Sequence, residues 1–190
     1  MHWIPAGGSC ALGILGHASA ALELVAQLQR DGLPVPREIV VPLGTGGTAA
    51  GLLLGLAVAG VATRVVGVRV VPRAVGNRWR VMGLARQGRS LLARLSGEET
   101  PALNADRLEI AQDAYGGAYG RETGTAGNAA RALRVTGGPS LDGTYSAKAF
   151  GHALARAHGT PEDSVLFWLT FDGRWLEASH EESPALRPPP

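Results

Sequence analysis

The chain has 190 residues, 45% of them hydrophobic and 18% charged, with a formal net charge of +2. That balance excludes a solvated, disordered chain and suits a single domain with a sizeable core. The only cysteine, Cys10, excludes an intrachain disulfide and fits a reducing, cytoplasmic setting.

Leu15, Ala18, Leu22, Val25 and Leu28 recur at helical spacing, which predicts an amphipathic helix from Gly13 to Arg30, stopped by Asp31-Gly32 and the prolines Pro34 and Pro36. Ala18-Ser19-Ala20 mimics a leader-cleavage site. No Lys or Arg precedes it and the apolar stretch before it is short, so a signal peptide is not expected. Glu38 to Leu43 is a short β-branched run and predicts a strand, followed at once by the glycine turn Gly44-Thr45-Gly46-Gly47-Thr48. From Thr48 to Ala59 the sequence is apolar on every face, the mark of a buried helix. The uncharged stretch Ile39 to Thr63 is broken by Pro42 and six glycines. It falls short of the about 20 apolar residues of a membrane helix, and no membrane association is expected.

Thr63 to Val71 predicts a second strand, so that strand, buried helix and strand form a crossover unit with parallel pairing. Between Glu38 and Glu98 there are eight arginines and no acid. No interleaved aromatics accompany them, so this basic half reads as a solvated surface and not as a nucleic-acid site. Asn77 to Leu95 predicts an arginine-rich surface helix, with Val81, Leu84, Leu91, Leu92 and Leu95 near one face. Leu108 to Ile110 is a short strand. Asp113 to Gly127 reads as a glycine-rich loop around Tyr115 and Tyr119, of the kind that faces ligands. Helices are predicted for Thr125 to Leu133 and, after the Asp142-Gly143 turn, for Thr144 to His158. A final buried strand is predicted for Val165 to Leu169. Residues 181–190 read as a proline-rich tail after a domain spanning 1–180, and the fold class is α/β, a mainly parallel sheet with helices on both faces.

A glycine turn between a strand and a helix lets backbone N–H groups converge on an anion, and the helix N-terminus adds about half a positive charge. Thr45 and Thr48 add hydroxyl donors. The same pattern also occurs as a bare tight turn. Gly44-x-Gly46-x-x-Ala49 matches a relaxed dinucleotide fingerprint, but the acid expected about 20 residues onward is missing. Arg69 or Arg73 would instead meet an NADP phosphate, which leaves an NADP-dependent oxidoreductase as an alternative. A Walker-type site lacks its lysine, since Lys148 is the chain's only one.

Several segments together resemble the pyridoxal-phosphate enzymes of the tryptophan-synthase-β-like fold (fold type II), in particular the D-cysteine desulfhydrase and 1-aminocyclopropane-1-carboxylate deaminase group. They are Ile4 to Ser9 with Gly13, Gly16, Glu23 and Gln27; Gly44 to Gly51; Tyr115 to Gly120; and Leu141 to Ala149. The resemblance covers most of the chain up to Thr170. It implies the large domain of such an enzyme with most of the small domain missing, pyridoxal 5'-phosphate as cofactor and a small amino acid as substrate. The missing N-terminal half, or a homo-oligomer, would then be the partner.

By the same resemblance, Gly44, Thr45, Gly46, Gly47 and Thr48 hold the cofactor phosphate, and Tyr119 and Tyr145 lie on the substrate side of the ring. Ser146 faces the pyridine nitrogen, where a neutral hydroxyl makes a weaker electron sink than a carboxylate, suited to elimination. The implied activity is elimination that deaminates or desulfhydrates a small amino acid such as D-cysteine or 1-aminocyclopropane-1-carboxylate.

Two departures stand out. The family's Schiff-base lysine lies well upstream of the phosphate loop, and none of the residues before Gly44 is lysine. Lys148 matches a different family lysine and reads as a helix-surface cation. At the final strand, Leu169-Thr170-Phe171-Asp172-Gly173 replaces a glycine-rich end with bulkier residues. The five histidines show no metal-ligand spacing, so no metal is expected. Trp3, Trp79, Trp168 and Trp175 read as core or interface packing.

Overall fold

The computed structural model describes residues 3–157 and 164–171. The expected tail at 181–190, together with Trp175, Asp172 and Gly173, lies outside the described residues. In chain order the elements are α1 (Gly13–Arg30), β1 (Glu38–Leu43), α2 (Gly47–Val58), β2 (Arg64–Arg69) and α3 (Arg78–Ser96). They continue as β3 (Leu108–Ala111), α4 (Gly124–Val135), α5 (Ser146–Arg156) and β4 (Val165–Phe167).

The strands form one parallel sheet in the order β3-β2-β1-β4. A parallel sheet needs both faces covered, and two separate cores do this. One face packs Ile39, Val41 and Val65 against α1, α2 and α3; the other packs Val40, Val66 and Val68 against Ala149 and Ala153 of α5. The chain is a three-layer α/β fold, as its sequence predicts.

Helix α2 is apolar all round because it is enclosed all round. It lies between the sheet, α1 and α3, and every residue from Ala49 to Leu56 is buried. Its approach to α1 is backbone to backbone: a Cβ at Gly51 would stand 2.5 Å from the Ile14 carbonyl oxygen, and one at Gly55 would stand 2.3 Å from that of Ala18. Only glycine permits this crossing.

Pro42 sits inside a central strand at no cost to the ladder. The Val40 carbonyl accepts from Trp168 N on the β4 side, and β4 pairs only with Glu38, Ile39 and Val40. The strand alternation turns Pro42 towards that same side, one step beyond the last pair, where no N–H is needed. The sheet opens there. Since β2 and β4 leave β1 in opposite directions, the C-terminal end of β1 is also the topological switch point where ligands of open α/β sheets bind.

Three expectations need correction. Helix α3 is not confined to the surface: Val81, Met82, Leu84, Ala85 and Gly88 are buried against α1 and α2, and it is Leu95 that stands exposed. The last strand is a half-buried run of three residues, not a five-residue core strand, because among the described residues only β1 flanks it. On α1 the buried stripe runs through Ile14, Ala18, Ala21 and Val25, with Leu22 left outside. Trp168 packs against the core, whereas Trp3 and Trp79 are exposed.

Candidate functional site

The turn between β1 and α2 is shaped by one residue. Gly46, at the N-cap of α2, has φ +94, a left-handed conformation that favours glycine. It lets the chain reverse so that the first amides of α2 point out of the end of the sheet. No acidic residue stands in that first turn to oppose an anion.

Around the turn lies a cleft of about 350 Å3 lined by Gly44, Thr45, Gly46, Gly47 and Thr48, with Ser9, Pro42, Tyr145 and Thr170 among its other walls. The hydroxyls of Ser9 and Thr45 share a 2.6 Å hydrogen bond, which ties the segment before α1 to the turn. Thr48 Oγ1 lies 3.2 Å from His17 Nε2, brought there by the glycine crossing of α1 and α2. Burial lowers the His17 pKa and favours its neutral form. From the other side, Arg80 Nε donates to the Thr45 carbonyl at 2.8 Å and fastens the turn to α3. Loop geometry, hydroxyls and helix dipole thus all suit an anionic group.

Tyr145 closes the cleft over Gly44, where a Cβ would lie 3.3 Å from the tyrosine Cε1. Its hydroxyl shares a 2.7 Å hydrogen bond with that of Tyr119, and the rings meet edge to face with centroids 6.0 Å apart. Burial, then the hydrogen bond to Tyr119, pushes the Tyr145 phenol up to about 12. The phenol therefore keeps its proton at neutral pH, and either hydroxyl of the pair can donate to the other. Tyr119 is itself largely exposed and reaches the cleft through Tyr145.

Asp142 sets the start of α5. Its carboxylate accepts from the backbone amides of Thr144 (3.0 Å), Tyr145 (2.7 Å) and Ser146 (3.0 Å), and from the Ser146 hydroxyl. Burial alone would raise its pKa, but these bonds outweigh that effect and hold the carboxyl below its usual range. Ser146 Oγ in turn accepts from the Asp142 amide at 2.9 Å. Ser146 is buried, with its hydroxyl engaged by Asp142, and is not a wall of the cleft.

Of the predicted site residues, the structure brings Gly44 to Thr48 and Tyr145 into one cleft, with Tyr119 behind Tyr145 and Ser146 beneath it. Sequence reasoning did not single out Ser9, His17, Arg80 or Asp142. Ser9 and Asp142 do lie within segments that carried the resemblance, but nothing local marks His17 or Arg80. The expectation that Lys148 is a surface cation fails: it is 2% exposed, and its Nζ donates to the Tyr115 carbonyl at 3.2 Å. No cluster of three potential metal-ligating side chains occurs among the described residues. Nor is any described helix long and apolar enough to cross a membrane.

Comparison with known proteins places the chain in a family. The family described as pyridoxal-phosphate dependent enzyme matches residues 1–170. The chain is 34% identical to the nocardicin C-9' epimerase of Nocardia uniformis subsp. tsuyamanensis, over 90% of this chain and 50% of that protein. It is 32% identical to the D-cysteine desulfhydrase of Serratia proteamaculans, over 94% of this chain and 52% of that protein. Among solved structures, an ACC deaminase homologue superposes with a TM-score of 0.68 at 31% identity, covering 86% of this chain and 47% of the other. The chain spans about half the length of these relatives. It belongs to the pyridoxal-phosphate dependent enzyme family.

Proposed function

We propose that this chain binds pyridoxal phosphate through its phosphate in the Gly44–Thr48 cleft, and that it forms the cofactor-holding half of an enzyme acting by elimination on a small amino acid. D-cysteine and 1-aminocyclopropane-1-carboxylate are the substrate types its relatives suggest. The observation that carries the reading is the convergence, at the C-terminal end of β1, of the α2 amides, the Ser9, Thr45 and Thr48 hydroxyls and the Tyr145 phenol.

The fit to the cofactor is uneven. The phosphate is well provided for: a dianion meets unopposed helix amides and three hydroxyls. Covalent attachment is not, because the single lysine lies outside the lining of the cleft and is turned towards Tyr115. When bound, pyridoxal phosphate supplies an electron sink for bond cleavage at an amino acid. What this chain contributes is positioning. Gly46 and Gly47 allow close approach, Thr45 and Thr48 orient the phosphate, and Tyr145 holds a proton at its hydroxyl over Gly44 while Tyr119 fixes the direction of that hydroxyl.

The placement of Lys148 favours binding without turnover by these residues alone, with the attaching amine supplied from outside them. Family membership leaves the NADP alternative without support, and Arg69 and Arg73 line a separate hollow beside Trp79. The test is gel filtration of the purified chain with pyridoxal phosphate, followed by turnover assays on both amino acids. Retained cofactor without turnover supports the reading; turnover by the chain alone, or failure to retain cofactor, contradicts it.

A further inference from the structure

Lys148 is a physical anomaly away from the phosphate turn. It is 2% exposed, yet its ammonium makes one hydrogen bond, to the Tyr115 carbonyl, and no carboxylate lies within ion-pair distance of it among the described residues. A buried charge of this kind is costly unless it is compensated.

What faces Lys148 is a cavity of about 140 Å3 between α4, α5 and the segment after β3. At about 30 Å3 per water in the liquid, it has room for a two- or three-carbon anion. Its walls are donor-rich. Thr123 is the N-cap of α4 and accepts from the Ala126 amide, Thr125 stands in the first turn, and that turn carries no acid, so the positive end of a 12-residue helix opens here. His152, one turn beyond Lys148, has a buried Nε2 with no partner among the described residues. Among the lining residues the one acid is Asp113, 3.7 Å from His152 Nδ1 and mostly exposed, where solvent screens it; Glu122 precedes Thr123 but does not line the cavity. Gly151 keeps α5 close to α4, since a Cβ there would already touch Ala129 at 3.4 Å.

We propose that this cavity binds a small carboxylate, held by the Lys148 ammonium, the first-turn amides of α4 and the Thr125 hydroxyl, with His152 Nε2–H as a further donor. Occupancy also steadies the Tyr115 carbonyl that Lys148 holds, and Tyr119 follows four residues later. The site is independent of what fills the Gly44–Thr48 cleft, so either reading can fail without the other.

Because Lys148 is the only lysine, 15N-lysine labelling gives one side-chain resonance for the whole chain. Sodium acetate titrated near neutral pH should shift that resonance saturably, with half-saturation at about 1–10 mM, and sodium chloride at equal ionic strength should not reproduce the shift. Thr125→Val should weaken the response about tenfold through loss of a charge-assisted bond, and His152→Ala should weaken it too. Acetate should raise the melting temperature of the wild-type chain but not that of Lys148→Met. A resonance indifferent to acetate, an equal response to chloride, or a signal of neutral amine near neutral pH would overturn the proposal.

Discussion

The Glu38 carboxylate accepts two hydrogen bonds from one guanidinium, from Arg156 Nε at 2.6 Å and from Nη2 at 2.8 Å, across 118 residues of chain. Arg156 also donates to Glu109 at 2.9 and 3.0 Å, so the last turn of α5 is clamped to both β1 and β3. The clamp lies at the opposite end of the sheet from the cleft. Glu38 is fully buried, so Arg156→Met should destabilise the fold by about 3–5 kcal/mol, because it leaves a buried charge without its main partner. Urea unfolding measures it, and a loss under 1 kcal/mol would mark the pair as incidental.

The same clamp predicts a pH dependence. The Arg156 hydrogen bonds, with Arg37 and Arg64 nearby, hold the Glu38 carboxyl below its usual range against the opposing effect of burial. A carboxyl with a lowered folded pKa contributes stability that is complete above its unfolded pKa of about 4.3 and is lost as pH falls through the folded value. In thermal melts, the stability difference between wild type and Glu38→Gln should therefore be constant above about pH 5 and shrink on further acidification. A difference that grows in acid would contradict the assignment.

Tyr145 should be visible as one late-titrating phenol among the three tyrosines. In Tyr119→Phe its pKa should fall from about 12, because the hydrogen bond is removed, yet stay above 10.0, because burial is the larger cause. Ultraviolet titration of tyrosinate reads this directly. An unchanged highest pKa in Tyr119→Phe would mean that the two hydroxyls do not interact.

Asp142→Ala removes the acceptor for three amides and the Ser146 hydroxyl at the start of α5. It should cost about 1–2 kcal/mol, the upper range for a helix N-cap. Pyridoxal phosphate affinity should fall with it, since Tyr145 loses its anchor. Chemical unfolding and cofactor titration of the same variant separate the two effects, and Asp142→Asn should recover part of both.

The layered fold was legible because its signals are local. The apolar period fixed α1, and the run Glu38 to Leu43 with the glycine turn behind it fixed β1 and its exit. Local pattern also misplaced what depends on partners. The strand predicted from Thr63 to Val71 shortens to the length of β1 opposite it. The helix predicted from Thr144 starts at Ser146, where the Asp142 carboxylate takes up the free amides. The glycine turn between β1 and α2 was readable from five residues. His17 against Thr48 and Arg156 against Glu38 were not, since each pair exists only once distant elements have packed. Lys148 was misread for the same reason: on one helix it looks like a surface cation, and only α4 and the Tyr115 segment bury it.

Binding of pyridoxal phosphate at Gly44–Thr48 is expected to be non-covalent and to depend on the phosphate. A Cβ at Gly47 would stand 2.7 Å from Ser9 Oγ, so Gly47→Ala must displace the serine that braces Thr45. The most direct measurement is equilibrium titration of wild type and Gly47→Ala with pyridoxal phosphate and with pyridoxal, followed by borohydride treatment and peptide mapping. The phosphate form should bind far more tightly than pyridoxal, Gly47→Ala should lose about tenfold in affinity, and no cofactor should be fixed to Lys148. Equal binding of the two forms, an unaffected Gly47→Ala, or cofactor reduced onto Lys148 would contradict it.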